Sequence, residues 1–247
     1  MKKIVLLSLI LLAATPVAAG EVSVAVAANF TDAARDLAPL FEKATGHTAK
    51  ISFGSTGKLY AQIENGAPFD LFLAADSKRP EKAEAAGLAV AGSRFTYARG
   101  KLCLWSSRSG AWRDGVIWLK RGAFNHIAIA NPKTAPYGMA AEQVMQQLGV
   151  WQGLQGKLVR GDSIAQTFQF VASGNAEAGF VAGSQVKGWK GDPGSVWEIP
   201  VSLYQPITQQ AVLLNRGRDN PAAKAFLEFL HSDAARAVIS AYGYGVE

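Results

Sequence analysis

Apolar and polar positions along the chain change period several times. Glu21–Ala28 is apolar at almost every position and reads as a buried strand. Phe30, Ala33, Ala34, Leu37, Leu40 and Phe41 then recur at helical spacing, and Gly46 stops that helix. Thr48–Phe53 predicts a second strand, the turn Gly54-Ser55-Thr56-Gly57 follows, and Leu59–Ile63 predicts a short helix ending before Gly66-Ala67-Pro68. Asp70–Ala75 predicts a third strand. The same texture returns with strands at His126–Ala130, Lys157–Arg160 and Ala178–Val181, and helices at Gly138–Leu148 and Ile164–Ala172. Val212–Leu214 reads as a late strand, and Pro221–Leu230 and Asp233–Tyr242 as closing helices. Strands separated by helices predict an α/β fold of mainly parallel sheets flanked by helices.

Two extended stretches break this rhythm. Phe95–Arg99 and Lys101–Trp105 are separated only by Gly100, and Val196–Leu203 and Ile207–Leu214 are broken near Tyr204-Gln205-Pro206. Both read as crossovers between two lobes. The expected division is lobe one from 20 to 98 plus 207 to 247, and lobe two from 99 to 206.

The first residues have the pattern of a secretory signal. Met1-Lys2-Lys3 is positive, Ile4–Leu12 is apolar apart from Ser8, and Val17-Ala18-Ala19 offers small residues to a signal peptidase. The expected signal peptide is 1–19, with a cut after Gly20 as the neighbouring alternative. No cysteine lies near the cut, so no lipid anchor is indicated, and no later segment reaches about 18 unbroken apolar residues. The mature chain is therefore expected to be exported and soluble.

The formal net charge of +6 raises the question of nucleic acid, but Lys and Arg are dispersed with no run of five, so no nucleic-acid partner is expected. The single cysteine, Cys103, lies in the strand-like run Lys101–Trp105 and reads as a packing residue. Catalytic signals are weak. His47, His126 and His231 have no second histidine at metal-ligand spacing, and neither Gly-x-Ser-x-Gly nor a phosphate-binding P-loop occurs. A triad assembled in space stays open, so a secreted hydrolase is a remote alternative.

Binding signals are stronger. Ala28-Asn29-Phe30-Thr31, Gly54-Ser55-Thr56-Gly57, Ala135-Pro136-Tyr137-Gly138 and Gly161-Asp162-Ser163-Ile164 each place small or polar residues between a strand end and a helix start. Open α/β sheets bind ligands at that edge. Helix starts offer unpaired N–H groups and a partial positive charge, which suit an anion. The competing reading is that their polar residues are ordinary helix caps.

Longer phrases carry a resemblance. Val26-Ala27-Ala28-Asn29-Phe30, Ser52-Phe53-Gly54-Ser55-Thr56-Gly57-Lys58-Leu59, the stretch from Gln62 to Asp76 with Gly66-Ala67-Pro68 at its centre, Ala130–Gly138 and Val171–Val181 are similar to the periplasmic molybdate-binding proteins of ABC transporters. The likeness spans the mature chain. It implies a two-lobe periplasmic binding protein, not an enzyme, that holds molybdate or tungstate between its lobes. Such a protein delivers the oxyanion to an inner-membrane ABC permease, works as a monomer and needs no cofactor. Carried over position by position, the resemblance implies Asn29 and Thr56 as ligand residues from lobe one and Tyr137 from lobe two. Ile164 contributes a backbone N–H, and Ala28 is a further backbone candidate. Relatives with Ala at the position of Tyr137 carry a Tyr where this chain has Ala182.

The chemistry fits a fully deprotonated dianion, which needs only donors. Phosphate keeps a proton near neutral pH and profits from an acceptor, and none of the named residues is an acid. Asp32 and Asp162, close in sequence to Asn29 and Ile164, read as helix-start residues facing away from the anion. A receptor for sulfate or phosphate remains the alternative.

Overall fold

The computed structural model describes residues 19–246; the expected signal peptide lies, except for Ala19, outside them. The first half-chain runs β1 (Glu21–Ala27), α1 (Thr31–Thr45), β2 (Thr48–Gly54), α2 (Thr56–Glu64), β3 (Leu71–Ala74), α3 (Lys78–Ala85), β4 (Phe95–Gly100) and β5 (Leu102–Ser106). Then follow α4 (Gly115–Arg121), β6 (Ile127–Ala130), α5 (Pro136–Gln147), α6 (Trp151–Leu154), β7 (Leu158–Gly161), α7 (Ile164–Ala172), β8 (Ala178–Ala182) and α8 (Gly183–Gly188). The chain ends with β9 (Ser195–Glu198), β10 (Ile207–Leu213), α9 (Pro221–Leu230) and α10 (Asp233–Ala241).

These strands form two five-stranded sheets, ordered β2-β1-β3-β10-β4 and β7-β6-β8-β5-β9, one in each lobe of an α/β fold. β1 lies between β2 and β3 and is apolar on both faces, as a strand covered by helices must be. Each sheet is mixed. The βα units give parallel pairs, while β10 runs antiparallel to β3 and β4, and β5 antiparallel to β8 and β9. The antiparallel pairs all involve strands that enter or leave a lobe.

α1 shows how the sequence sets each layer. Ala33, Ala34, Leu37 and Phe41 fall on one face and are buried, and Gly46 ends the helix at φ 72°, a left-handed cap that favours glycine. The helices α3, α4, α6 and α8 have no counterpart in the sequence reading. α3 (KRPEKAEA) buries only Pro80 and Ala83, so no apolar stripe announces it. The expected strand Val196–Leu203 is cut short: β9 stops at Glu198, and a 3-10 turn over Val201–Leu203 follows Pro200.

Register places the loops. Ala27 pairs with Gly54, so β1 and β2 end level and release Ala28-Asn29 and Ser55-Thr56 side by side. Ala130 pairs with Gly161, which brings the start of α7 next to the segment leading into α5. The two edges face one another. A single hydrophobic cluster unites one layer of the second lobe's core with Ala27, Ala28, Ala75 and Ile207 of the first, so the lobes are in contact across the cleft.

Candidate functional site

Between the lobes lies a small cavity lined by Ala27, Ala28, Asn29, Ser55, Thr56, Ala75, Ala135, Pro136, Tyr137 and Ile164. All five residues singled out in the sequence, Ala28, Asn29, Thr56, Tyr137 and Ile164, are on this wall. No charged side chain is.

Each loop reaches the cavity for a local reason. Thr56, Pro136 and Ile164 are the first residues of α2, α5 and α7. The first N–H groups of a helix have no partner inside it, and proline at the start of α5 loses nothing by lacking one. Gly138 brings α5 close to the end of β6, where a Cβ would lie 2.2 Å from the Ala130 carbonyl oxygen. Ser163 caps α7 by accepting from the Gln166 N–H.

The hydrogen bonds around the hydroxyls decide which hydrogens are free. Thr56 is fully buried, and its Oγ1 accepts from the Ala75 N–H at 3.1 Å, which leaves its own hydrogen to donate. The Tyr137 hydroxyl, 1% exposed, accepts from Gln209 Nε2 at 3.3 Å and likewise keeps its hydrogen. Burial pushes the Tyr137 phenol well above its ordinary range, with smaller contributions from Tyr244 and Tyr97, so it stays protonated. Ser55 was absent from the carried-over set. It sits at the N-cap of α2 without making the cap bond, and its Oγ is buried and unpartnered. A cap position whose hydroxyl is not used as a cap is the signal that singles it out, and only the structure supplies it.

Asn29 is held differently from the others. Its Nδ2 donates to Gln209 Oε1 at 2.8 Å and to the Tyr244 hydroxyl at 3.0 Å, while its Oδ1 is buried with no partner. Tyr97 also donates to Gln209 Oε1, at 3.1 Å. The Tyr244 hydroxyl and Ser184 Oγ both lie on the Asn29 carbonyl, at 2.7 and 3.0 Å. This buried network joins Asn29, Tyr97, Gln209 and Tyr244 of the first lobe to Tyr137 and Ser184 of the second.

Further contacts hold the rim. The Gly57 N–H donates to the Thr134 carbonyl at 2.8 Å, Lys58 pairs with Asp162 at 2.8 Å, and an Arg79 guanidinium N–H reaches the Lys133 carbonyl at 3.3 Å. Asp162 therefore faces Lys58 at the rim, and Asp32 lies beside Arg35; neither lines the cavity. Ala182 is buried next to the site but does not line it, and its N–H is taken by Gln185 Oε1.

No histidine lines the cavity. His47 Nδ1 accepts from the Gly20 N–H, and the His231 ring packs at a tilt against Phe95. Among the described residues no group of His, Cys, Asp and Glu could hold a metal ion. Among them, too, no helix is long and apolar enough to cross a membrane. Cys103 is buried, and desolvation pushes its thiol up to about 12.

Residues 22–245 match the family model of the bacterial extracellular solute-binding proteins. The chain is 58% identical to the molybdate-binding protein ModA of Azotobacter vinelandii, covering 93% of this chain and 91% of that one. Its identity to ModA of Rhodobacter capsulatus is 52%, over 98% and 94% of the two chains. Among solved structures, an Azotobacter vinelandii periplasmic molybdate-binding protein superposes with a TM-score of 0.88 at 42% identity, over 92% of this chain and 99% of that one. The sulfate-binding protein SubI of Mycobacterium tuberculosis shares the fold at a TM-score of 0.77 and 14% identity, over 92% and 87% of the chains. A chain with this family match, two lobes and a neutral cavity between them belongs to the bacterial extracellular solute-binding proteins, beside the molybdate-binding proteins.

Proposed function

We propose that this protein is the periplasmic receptor of an ABC transporter, and that it captures molybdate or tungstate in the interlobe cavity and hands it to the permease. The observation that carries this reading is a cavity at three helix starts, furnished with hydroxyl and N–H donors and free of charged side chains. Thr56 and Tyr137 donate their hydroxyl hydrogens, Ile164 a backbone N–H, and Asn29 completes the wall, with Ala28 as a further N–H donor. Ser55 joins this set. Aligned neutral dipoles and helix starts stabilise a desolvated dianion without a counter-charge. In this reading residues 1–19 are removed on export, residues 20–98 and 207–247 form one lobe and 99–206 the other. The protein acts as a monomer, without cofactor or catalysis.

Molybdate and tungstate are tetrahedral dianions of nearly equal size, so the same donors serve both. Sulfate is smaller, and cavity size discriminates against it. Titration calorimetry with molybdate, tungstate, sulfate and phosphate tests the assignment. Molybdate and tungstate are expected to bind far more tightly than the other two. Sulfate binding as tight as molybdate binding refutes the assignment.

A further inference from the structure

Gln209 is fully buried in β10, makes hydrogen bonds from both ends of its amide, and lies outside the cavity wall. We propose that it is a positioning residue for the oxyanion site: through Asn29 it decides whether the cavity is offered an amide hydrogen or an amide oxygen. The inference rests on the oxyanion reading and deepens it.

The argument is one of hydrogen counting. With Gln209 Oε1 toward Asn29, both Asn29 hydrogens go to Gln209 and Tyr244, and the unpartnered Oδ1 is what remains for the cavity. That oxygen can only accept. It repels an anion that carries no proton and welcomes one that does. The amide ends of Asn and Gln are nearly identical in shape, so turning one changes partners rather than packing. Turning Asn29 alone would set two oxygens 2.8 Å apart. Asn29 therefore turns only together with Gln209.

Turned together, the pair keeps every bond but the long one to Tyr137. Gln209 Nε2 then donates to Asn29 Oδ1 and to the Tyr97 hydroxyl, which passes its own hydrogen to the Ala74 carbonyl, 3.3 Å away. Tyr244 donates to Asn29 Oδ1, while Ser184 continues to donate to the Asn29 carbonyl. Gln209 Oε1 gives up the 3.3 Å contact with Tyr137, whose hydrogen stays on the anion, and Asn29 Nδ2 becomes the free end. A fully deprotonated dianion selects this second arrangement; a protonated oxyanion selects the first. The pair thus reads the protonation state of the ligand, which geometry alone does not distinguish.

The test is Gln209→Glu, titrated with molybdate at about pH 5 and about pH 9. Burial raises a carboxyl pKa, so at the lower pH the side chain keeps a proton and can donate to Asn29 as the amide does. At the higher pH it only accepts and fixes Asn29 with its oxygen inward. Relative to wild type at the same pH, affinity is expected to be near normal at the lower pH and roughly 10- to 100-fold weaker at the higher. The added charge contributes to that loss, so the pair of measurements is repeated in an Asn29→Ala background. There the pH-dependent loss should shrink several-fold, because only the charge remains. An equal loss in both backgrounds, or no dependence on pH, overturns the inference. A second readout uses the wild-type protein alone: molybdate should shift the Asn29 side-chain amide proton resonances strongly, and unmoved resonances at saturation overturn the inference whatever the variants do. Wild-type protein that gives no heat with molybdate overturns the oxyanion reading itself, and this inference with it.

Discussion

Gly100 and Tyr137 share one space: a Cβ built on Gly100 would stand 2.1 Å from the Tyr137 hydroxyl oxygen and 2.7 Å from Gln209 Nε2. Gly100 ends β4 one residue before β5 opens in the other sheet, so the crossover is bare where the tyrosine head must sit. Gly100→Ala is expected to cost about 1–3 kcal/mol of stability through overpacking and to weaken oxyanion binding by displacing the hydroxyl. Combining it with Tyr137→Phe removes the closest clash, so the double variant should melt higher than additivity allows. Thermal denaturation of the four proteins checks this.

Tyr137→Phe on its own keeps the buried ring and removes the donor. A hydrogen bond to a charged partner contributes about 1.5–3 kcal/mol, so molybdate binding should weaken roughly 10- to 100-fold with the melting temperature little changed. Tyr137→Ala combined with Ala182→Tyr should recover part of the affinity lost by Tyr137→Ala, since Ala182 belongs to the same buried cluster. An unchanged dissociation constant for Tyr137→Phe would remove this hydroxyl from the site.

Gly57 brings the two backbones together at the rim, and a Cβ there would lie 2.9 Å from the Thr134 carbonyl oxygen. Gly57→Ala should hold the lobes apart. The expected result is an affinity loss of about tenfold or more, from the bond of the Gly57 N–H to Thr134 and from imperfect burial of the anion. Small-angle scattering with saturating ligand should show the variant more open than wild type.

Lys58 and Asp162 pair across the same rim but are largely exposed, with side chains 49% and 73% accessible. An exposed pair contributes about 0.2–1 kcal/mol. Lys58→Met should therefore weaken binding by no more than about fivefold, and the difference should fade as salt screens the pair. A tenfold loss that persists in concentrated salt would mean that Lys58 acts on the anion directly.

Alkali should unfold the protein steeply. Desolvation raises the phenols of Tyr97, Tyr137 and Tyr244 and pushes the Cys103 thiol up to about 12. A group whose folded pKa is raised holds its proton longer in the folded chain, so its stabilisation is present below the unfolded pKa and lost as pH rises through the folded one. Denaturant midpoints should fall from about pH 9 upward, first through Cys103 and then through the tyrosines. Cys103 should resist thiol reagents at neutral pH until the chain unfolds.

The four helix-start loops were legible because small or polar residues recur at four strand-to-helix junctions, more than capping any one helix would call for. Thr56, Tyr137 and Ile164 stood in those loops and meet at one cavity. Gln209 was not legible: it sits in ITQQAVL, an ordinary strand, 180 residues from Asn29, and only the pairing of β10 with β3 and β4 brings the two amides together. Ser55 was hidden by its neighbour, since adjacent hydroxyls at a helix start look alike until one is seen to leave the cap bond unmade. The short helix α4 escaped because its marks, the Asp114 cap at one end and Gly122 at the other, enclose only seven residues.

The absence of charge from the cavity wall bears on how the cargo leaves. An anion gripped by an arginine would have to break an ion pair on departure and leave a cation behind in a dry pocket. Here each donor is a neutral dipole that water can satisfy equally well. Once the rim contacts at Gly57 and Lys58 part, water can replace the anion at each donor in turn. Discharge is then a stepwise exchange of hydration, and its pace follows how fast the lobes admit solvent. A partner that merely pries the lobes open would suffice to empty the pocket, with no competing cation required.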